Sequence, residues 1–107
     1  MSDDLPGNFT EAEAESAATA RRVVTICNQK GLHARAAARF VKAAHEFDAE
    51  IWVRKNGTVV SGRSIMGLMM LAAASGVALQ ISAAGPEADS AVDTLARLVE
   101  CKFDEGC

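Results

Sequence analysis

The sequence predicts an α+β domain whose elements run β-α-β-β-α-β-α. Three observations carry this. Branched residues alternate at period two over 22–28, 48–54 and 77–83; apolar residues recur at helical spacing in three other stretches; and an Asn-Gly dipeptide stands where a hairpin would turn. That order fits a ferredoxin-like fold, or a two-layer open-faced sandwich in which three helices cover one face of a four-stranded antiparallel sheet. A chain of 107 residues, 50% of them hydrophobic, can bury one core and is too short for two ordinary domains.

Residues 1–20 hold Pro6, Gly7, five acids (Asp3, Asp4, Glu11, Glu13, Glu15) and no Lys or Arg, a net charge of −5. With few large apolar groups to bury, they are expected to form a disordered or partly helical acidic extension, dispensable to a domain over 21–107. That remainder carries about +2, too small a surplus for a nucleic-acid binder.

Arg22 to Asn28 reads as the first strand, with Val24 and Ile26 on one face and Val23, Thr25 and Cys27 on the other. Gln29-Lys30-Gly31 then turns into a helix over Ala34 to Phe47. Ala37, Phe40, Val41, Ala44 and Phe47 share its apolar face, Arg35, Arg39, Lys42 and Glu46 share the opposite one, and His45 lies between. Asp48 to Arg54 is the second strand, with Ile51 and Val53 facing one way and Trp52 the other, as cover for the sheet face away from the helices. Asn56-Gly57 predicts a type I′ turn into a partner strand over Thr58 to Ser61. Ser64 caps a second helix that runs toward Gly76, with Leu68, Leu71 and Ala72 inward and Ile65, Met66 and Met69 off that row. Val77 to Ala83 is the fourth strand and Gly85-Pro86-Glu87 breaks it. The last helix, Ala88 to Lys102, aligns Val92, Leu95, Ala96, Val99 and Phe103.

His33 stands where the first helix begins. The unpaired N–H groups of a first helical turn, the positive helix end and the Arg35 guanidinium converge there, an arrangement that suits phosphate and favours a neutral, nucleophilic imidazole. From these two residues alone, a plain cap beside a surface arginine is the commoner reading of His33. The cation row Arg35, Arg39, Lys42 suits an acidic partner or is a solvated face. Three cysteines with no metal-ligand spacing read as reduced thiols. No apolar run approaches the roughly 20 residues that span a bilayer, and the N-terminus lacks signal-peptide order, so the expected location is cytoplasmic, without membrane or nucleic-acid partners.

The string Gly31-Leu32-His33-Ala34-Arg35, followed by Ala36-Ala37, closely resembles the active-site motif of the HPr family of phosphocarrier proteins, and Gly62-Arg63-Ser64-Ile65-Met66-Gly67 resembles its regulatory serine site. The likeness covers about residues 22–103 and selects the HPr-like open-faced sandwich over the ferredoxin-like one. It implies that His33 accepts phosphate from enzyme I, charged by phosphoenolpyruvate, and that Arg35 orients the phosphoryl oxygens. The acceptor would be an enzyme IIA-type protein of a sugar-transport or nitrogen-related branch. It further implies that an HPr serine kinase acts on Ser64 in part of the family, and that Ile65, Met66 and Met69, with Arg39 and Lys42, meet the partners. The protein would be a carrier and not an enzyme: one nucleophile without a nucleotide loop, metal site or cofactor cannot draw phosphate from a nucleotide. The family usually has proline after the motif arginine, where this chain has Ala36, leaving the first turn less pre-organised. The competing class is a ferredoxin-like RNA or small-ligand module. RNA binding is disfavoured by the lack of Tyr, with only Trp52 placed for stacking.

Overall fold

A computed structural model describes residues 10–105. Its elements are α1 (Glu11–Glu15), β1 (Ala20–Thr25), α2 (Ala34–Ala44), β2 (Glu50–Lys55), β3 (Thr58–Ser61), α3 (Ile65–Met70), β4 (Ala78–Ala84) and α4 (Ala88–Glu100). The strands form one antiparallel sheet in the order β1-β4-β2-β3. A ferredoxin-like sheet would hold β1 inside; here β1 is an edge and β4 pairs with both β1 and β2.

The core lies between one sheet face and α2, α3 and α4. Alternation sends Val24, Ile51, Val53, Leu79, Ile81 and Ala83 inward, where they meet Ala37, Phe40 and Ala44 of α2, Leu68 of α3, and Val92, Leu95, Ala96 and Val99 of α4. The helices α2 and α4 are amphipathic at the spacing expected, and Phe103, past the end of α4, completes the stripe fully buried.

Several expectations are corrected. The second helix stops at Met70 rather than near Gly76: Ala72 is left-handed (φ 52°) and exposed, not inward, and Lys55 Nζ donates to the carbonyls of Leu71 (2.8 Å) and Ala72 (3.4 Å), capping the helix end. The first helix stops at Ala44, three residues before Phe47. Asn56 has positive φ (54°) but Gly57 does not, so the hairpin turn is not type I′, although β3 has the bounds predicted; β2 runs from Glu50 to Lys55 rather than from Asp48 to Arg54.

The largest correction concerns residues 10–20, expected as a tail outside the domain. Residues 1–9 of that extension lie outside the described residues, as does Cys107. From Thr10 on, the chain is built into the fold. Thr10 and Glu13 form a reciprocal capping box on α1, and α1 lies on the sheet face opposite the other helices. There Glu15 is buried, accepting from Arg54 Nη2 (2.6 Å) and Nε (3.2 Å), Ser82 Oγ (3.0 Å) and Gln80 Nε2 (3.2 Å). Burial pushes its carboxyl up, but those hydrogen bonds, Arg54 foremost, and the Arg54 charge outweigh burial and hold it below the ordinary glutamate value. Trp52, which lines one pocket with Ala14 and Ala17, is only 5% exposed. It does lie on the face predicted, but it is the one covered and not the cover.

Candidate functional site

Gly31 makes the turn from β1 into α2. It holds a φ of 68°, and a side chain there would meet the Ala73 carbonyl oxygen at 2.5 Å; the next residue, Leu32, donates its N–H to that same oxygen at 2.9 Å. The chain leaves this pinned turn in extended geometry at His33 (φ −79°, ψ 179°), the N-cap of α2. The His33 carbonyl accepts from Ala37 N–H (2.8 Å), so the N–H groups of Ala34, Arg35 and Ala36 have no helical acceptor and point out of the helix start. The imidazole makes no capping bond and is free to face the adjoining cleft.

That cleft, about 460 Å³, is lined by Asn28, Gln29, Lys30, His33, Arg35, Arg39, Lys102 and Glu105. Four of these are cations and one is a carboxylate, so with the helix end the cleft is built for an anion. Glu105 is the residue that sequence reasoning missed. Its Oε2 lies 2.5 Å from His33 Nε2, and its Oε1 accepts from Asn28 Nδ2 at 3.2 Å. Asn28, itself buried, also donates to the Gly31 carbonyl at 2.8 Å, tying the turn and the carboxylate together. Burial pushes the Glu105 carboxyl up, but the hydrogen bonds from His33 and Asn28, with the charges of His33 and Lys30, prevail and hold it below the ordinary glutamate value.

Glu105 reaches His33 because α4 ends in a left-handed turn: Lys102, Phe103 and Asp104 have φ of 57°, 55° and 65°. Such backbone is costly for residues with a Cβ, and the buried Phe103 ring anchors it. The only available signal was the phenylalanine at the end of an apolar stripe with acids directly behind it.

The other predicted residues divide into two groups. Arg35 and Arg39 join His33 at the cleft, Arg39 also lying 3.7 Å from Asp104, whereas Lys42 continues their row on the exposed side of α2 outside it. Ser64 caps α3, its Oγ accepting from Gly67 N–H at 2.9 Å. Beside it Ile65, Met66 and Met69 are exposed as expected, and Met70, not singled out by its pattern, is the most exposed of the group at 77%. Ala36 is fully buried in the first turn of α2.

The family described as "PTS HPr component phosphorylation site" matches residues 20–101. A phosphocarrier protein HPr of Neisseria meningitidis is 43% identical over 86 residues, 80% of this chain and 97% of the relative. A phosphocarrier protein NPr of Shewanella violacea is 45% identical over 84 residues, 78% of this chain and 92% of the relative. Among solved structures, an HPr from Thermoanaerobacter tengcongensis superposes with a TM-score of 0.79 at 39% identity, covering 83% of this chain and all of that one.

Proposed function

The chain belongs to the HPr family of phosphocarrier proteins of the phosphotransferase system, and we propose that His33 is the residue that carries its phosphoryl group. As in its relatives, the role is that of a covalent intermediate and not of an enzyme. The observation that carries the assignment to His33 is the meeting of one imidazole, an open helix N-terminus and four cations at a single cleft. Nε2 is engaged by Glu105, so Nδ1 is the nitrogen that takes the phosphoryl group. The helix N–H groups and the Arg35 guanidinium receive its oxygens.

The donor is enzyme I charged from phosphoenolpyruvate, and the acceptor a histidine-bearing, enzyme IIA-type protein of a sugar-transport or nitrogen-related branch. The docking surface runs from Arg39 and Lys42 on α2 to Ile65, Met66 and Met69 on α3, a basic strip beside an apolar one, suited to a partner with acidic and apolar patches. Ser64, at the edge of the apolar strip, is a control point. A phosphate there adds about −1.5 to −2 charges at a helix N-terminus that tolerates them and beside an apolar contact that does not, so a serine kinase acting on it would weaken docking. Incubation with enzyme I and phosphoenolpyruvate, followed by mass spectrometry, tests the central assignment: one acid-labile phosphate on His33 is expected, and labelling at His45 would redirect it.

A further inference from the structure

Two exposed thiols from distant parts of the chain approach each other beside the cleft. Cys27 stands just past the end of β1, and Cys101 is the C-cap of α4. The Cys27 Sγ–H faces the end of that helix, donating toward the carbonyl oxygens of Val99 (3.6 Å) and Glu100 (3.5 Å). The Glu100 carbonyl belongs to the peptide that Cys101 completes, and in a planar trans peptide the oxygen stands about 2.8 Å from the Cα that follows. Cys101 Cα is therefore no more than about 6.5 Å from the Cys27 sulfur. Each thiol also directly precedes a residue that lines the cleft, Asn28 in one case and Lys102 in the other. We propose that Cys27 and Cys101 are a reversible dithiol–disulfide pair, closed by a peroxide, whose bridge ties together two segments that wall the His33 cleft and slows phosphate acceptance; the bridge is independent of the reading of His33, and its effect on transfer rests on it.

The chemistry needs one peroxide for each bridge. One thiol sulfur attacks a peroxide oxygen, the O–O bond breaks, and the sulfur becomes a sulfenic acid as the first water leaves. The second sulfur then displaces the sulfenic oxygen, which leaves as a second water with the remaining thiol proton. The two sulfurs lose two electrons together and the peroxide gains them. Side-chain rotation and a small backbone adjustment bring the sulfurs to the roughly 2.05 Å of a disulfide. Both thiols sit where the chain can adjust, since β1 pairing ends at Thr25 and α4 ends at Glu100. The adjustment reaches the cleft because little slack separates Cys101 from it: Lys102, Phe103 and Asp104 are already left-handed, and Phe103 is fixed by burial. In a reducing compartment the pair rests as two thiols, and the bridge is a response to oxidant rather than a structural staple.

Hydrogen peroxide added to the full chain at low micromolar concentration, followed by peptide mapping without reductant, reads the bridge directly and needs no partner protein. The expected product is a monomer lighter by two hydrogens, with the Cys27 and Cys101 peptides linked. Cys107→Ser should form the same bridge, whereas Cys27→Ser and Cys101→Ser should not. After removal of peroxide, the oxidised chain should accept phosphate from enzyme I at least about threefold more slowly than the reduced one, and dithiothreitol should restore the rate. The same treatment should leave the rate in Cys27→Ser unchanged. A bridge that uses Cys107, a bridge between two chains, or a mapped Cys27–Cys101 bridge with unaltered acceptance would each overturn the proposal. A reduced chain that carries its phosphate elsewhere than His33 would sink the carrier assignment instead, and the mapped bridge would stand.

Discussion

Glu15 and Glu105 fasten the two ends of the described chain to opposite sides of the domain, and the contrast separates two uses of one side chain. Glu15 is enclosed: four donors on Arg54, Gln80 and Ser82 satisfy it, and nothing it touches is reactive. Glu105 is partly open, with side-chain exposure of 23%, and spends one oxygen on the His33 imidazole. Both carboxyls are held below the ordinary glutamate value, so a depressed carboxyl alone identifies neither role. What distinguishes them is the partner, a structural guanidinium in one case and an imidazole at a helix N-terminus in the other.

The comparison breaks most sharply at His33. His33→Ala should abolish phosphate acceptance from enzyme I and leave Trp52 emission and thermal stability nearly unchanged; a variant that still accepts phosphate would make Glu105 as structural as Glu15. The converse is Glu15→Ala, which leaves Arg54, Gln80 and Ser82 without their acceptor. Since the Arg54 side chain is one-third exposed (34%) and can turn to water, the cost should be about 2 kcal/mol, below that of a fully enclosed pair. Thermal melting should fall by about 10 °C, and Trp52 emission should shift to the red as α1 lifts, with transfer at His33 retained. An unshifted Trp52 spectrum would mean that α1 holds without its glutamate.

Acid should act on both ends in one direction. For each glutamate the folded-state carboxyl is depressed, so its stabilisation is fully present above the ordinary value of 4.5 and is lost as pH falls through the lower folded value. Trp52 emission followed from pH 7 downward should therefore stay constant until below about 4.5, and in Glu15→Gln that acid transition should disappear. The smallest effect is expected at Ser64, on neither end: Ser64→Ala should cost about 1 kcal/mol by calorimetry through loss of the α3 cap, with transfer nearly normal. Ser64→Asp should slow phosphorylation of His33, and equal rates at limiting carrier would leave Ser64 as a cap alone.

The middle of the chain was legible because its local signals agree with its tertiary use. Period two placed Val24, Ile51, Val53 and Ile81 inward, period 3.6 placed Phe40, Leu95 and Val99, and the Gly31–Arg35 string located the cleft. The ends were not legible, because their roles are decided by contacts at long range. Nothing near Glu15 in sequence announces Arg54, and an alanine-rich, acidic segment resembles a solvated tail until the sheet face it meets is known. Glu105 is likewise defined by His33, and the left-handed run before it has no glycine to signal it. Ala72 shows the same limit on a smaller scale: a helical stripe predicted it inward, and a lysine side chain from β2 helped end the helix before it.

The strand order also sets a schedule for synthesis. β4 is the partner shared by β1 and β2, yet it is the last strand to be made, so a growing chain can close only the β2–β3 hairpin until Ala78–Ala84 has emerged. Before then β1 and β2 are unpaired edges, the species most prone to associate with other chains. His33 must wait longer still, for a partner 72 residues downstream. A ribosome that stalled after α4 would thus hold a nearly complete sheet in which His33 has no carboxylate beside it.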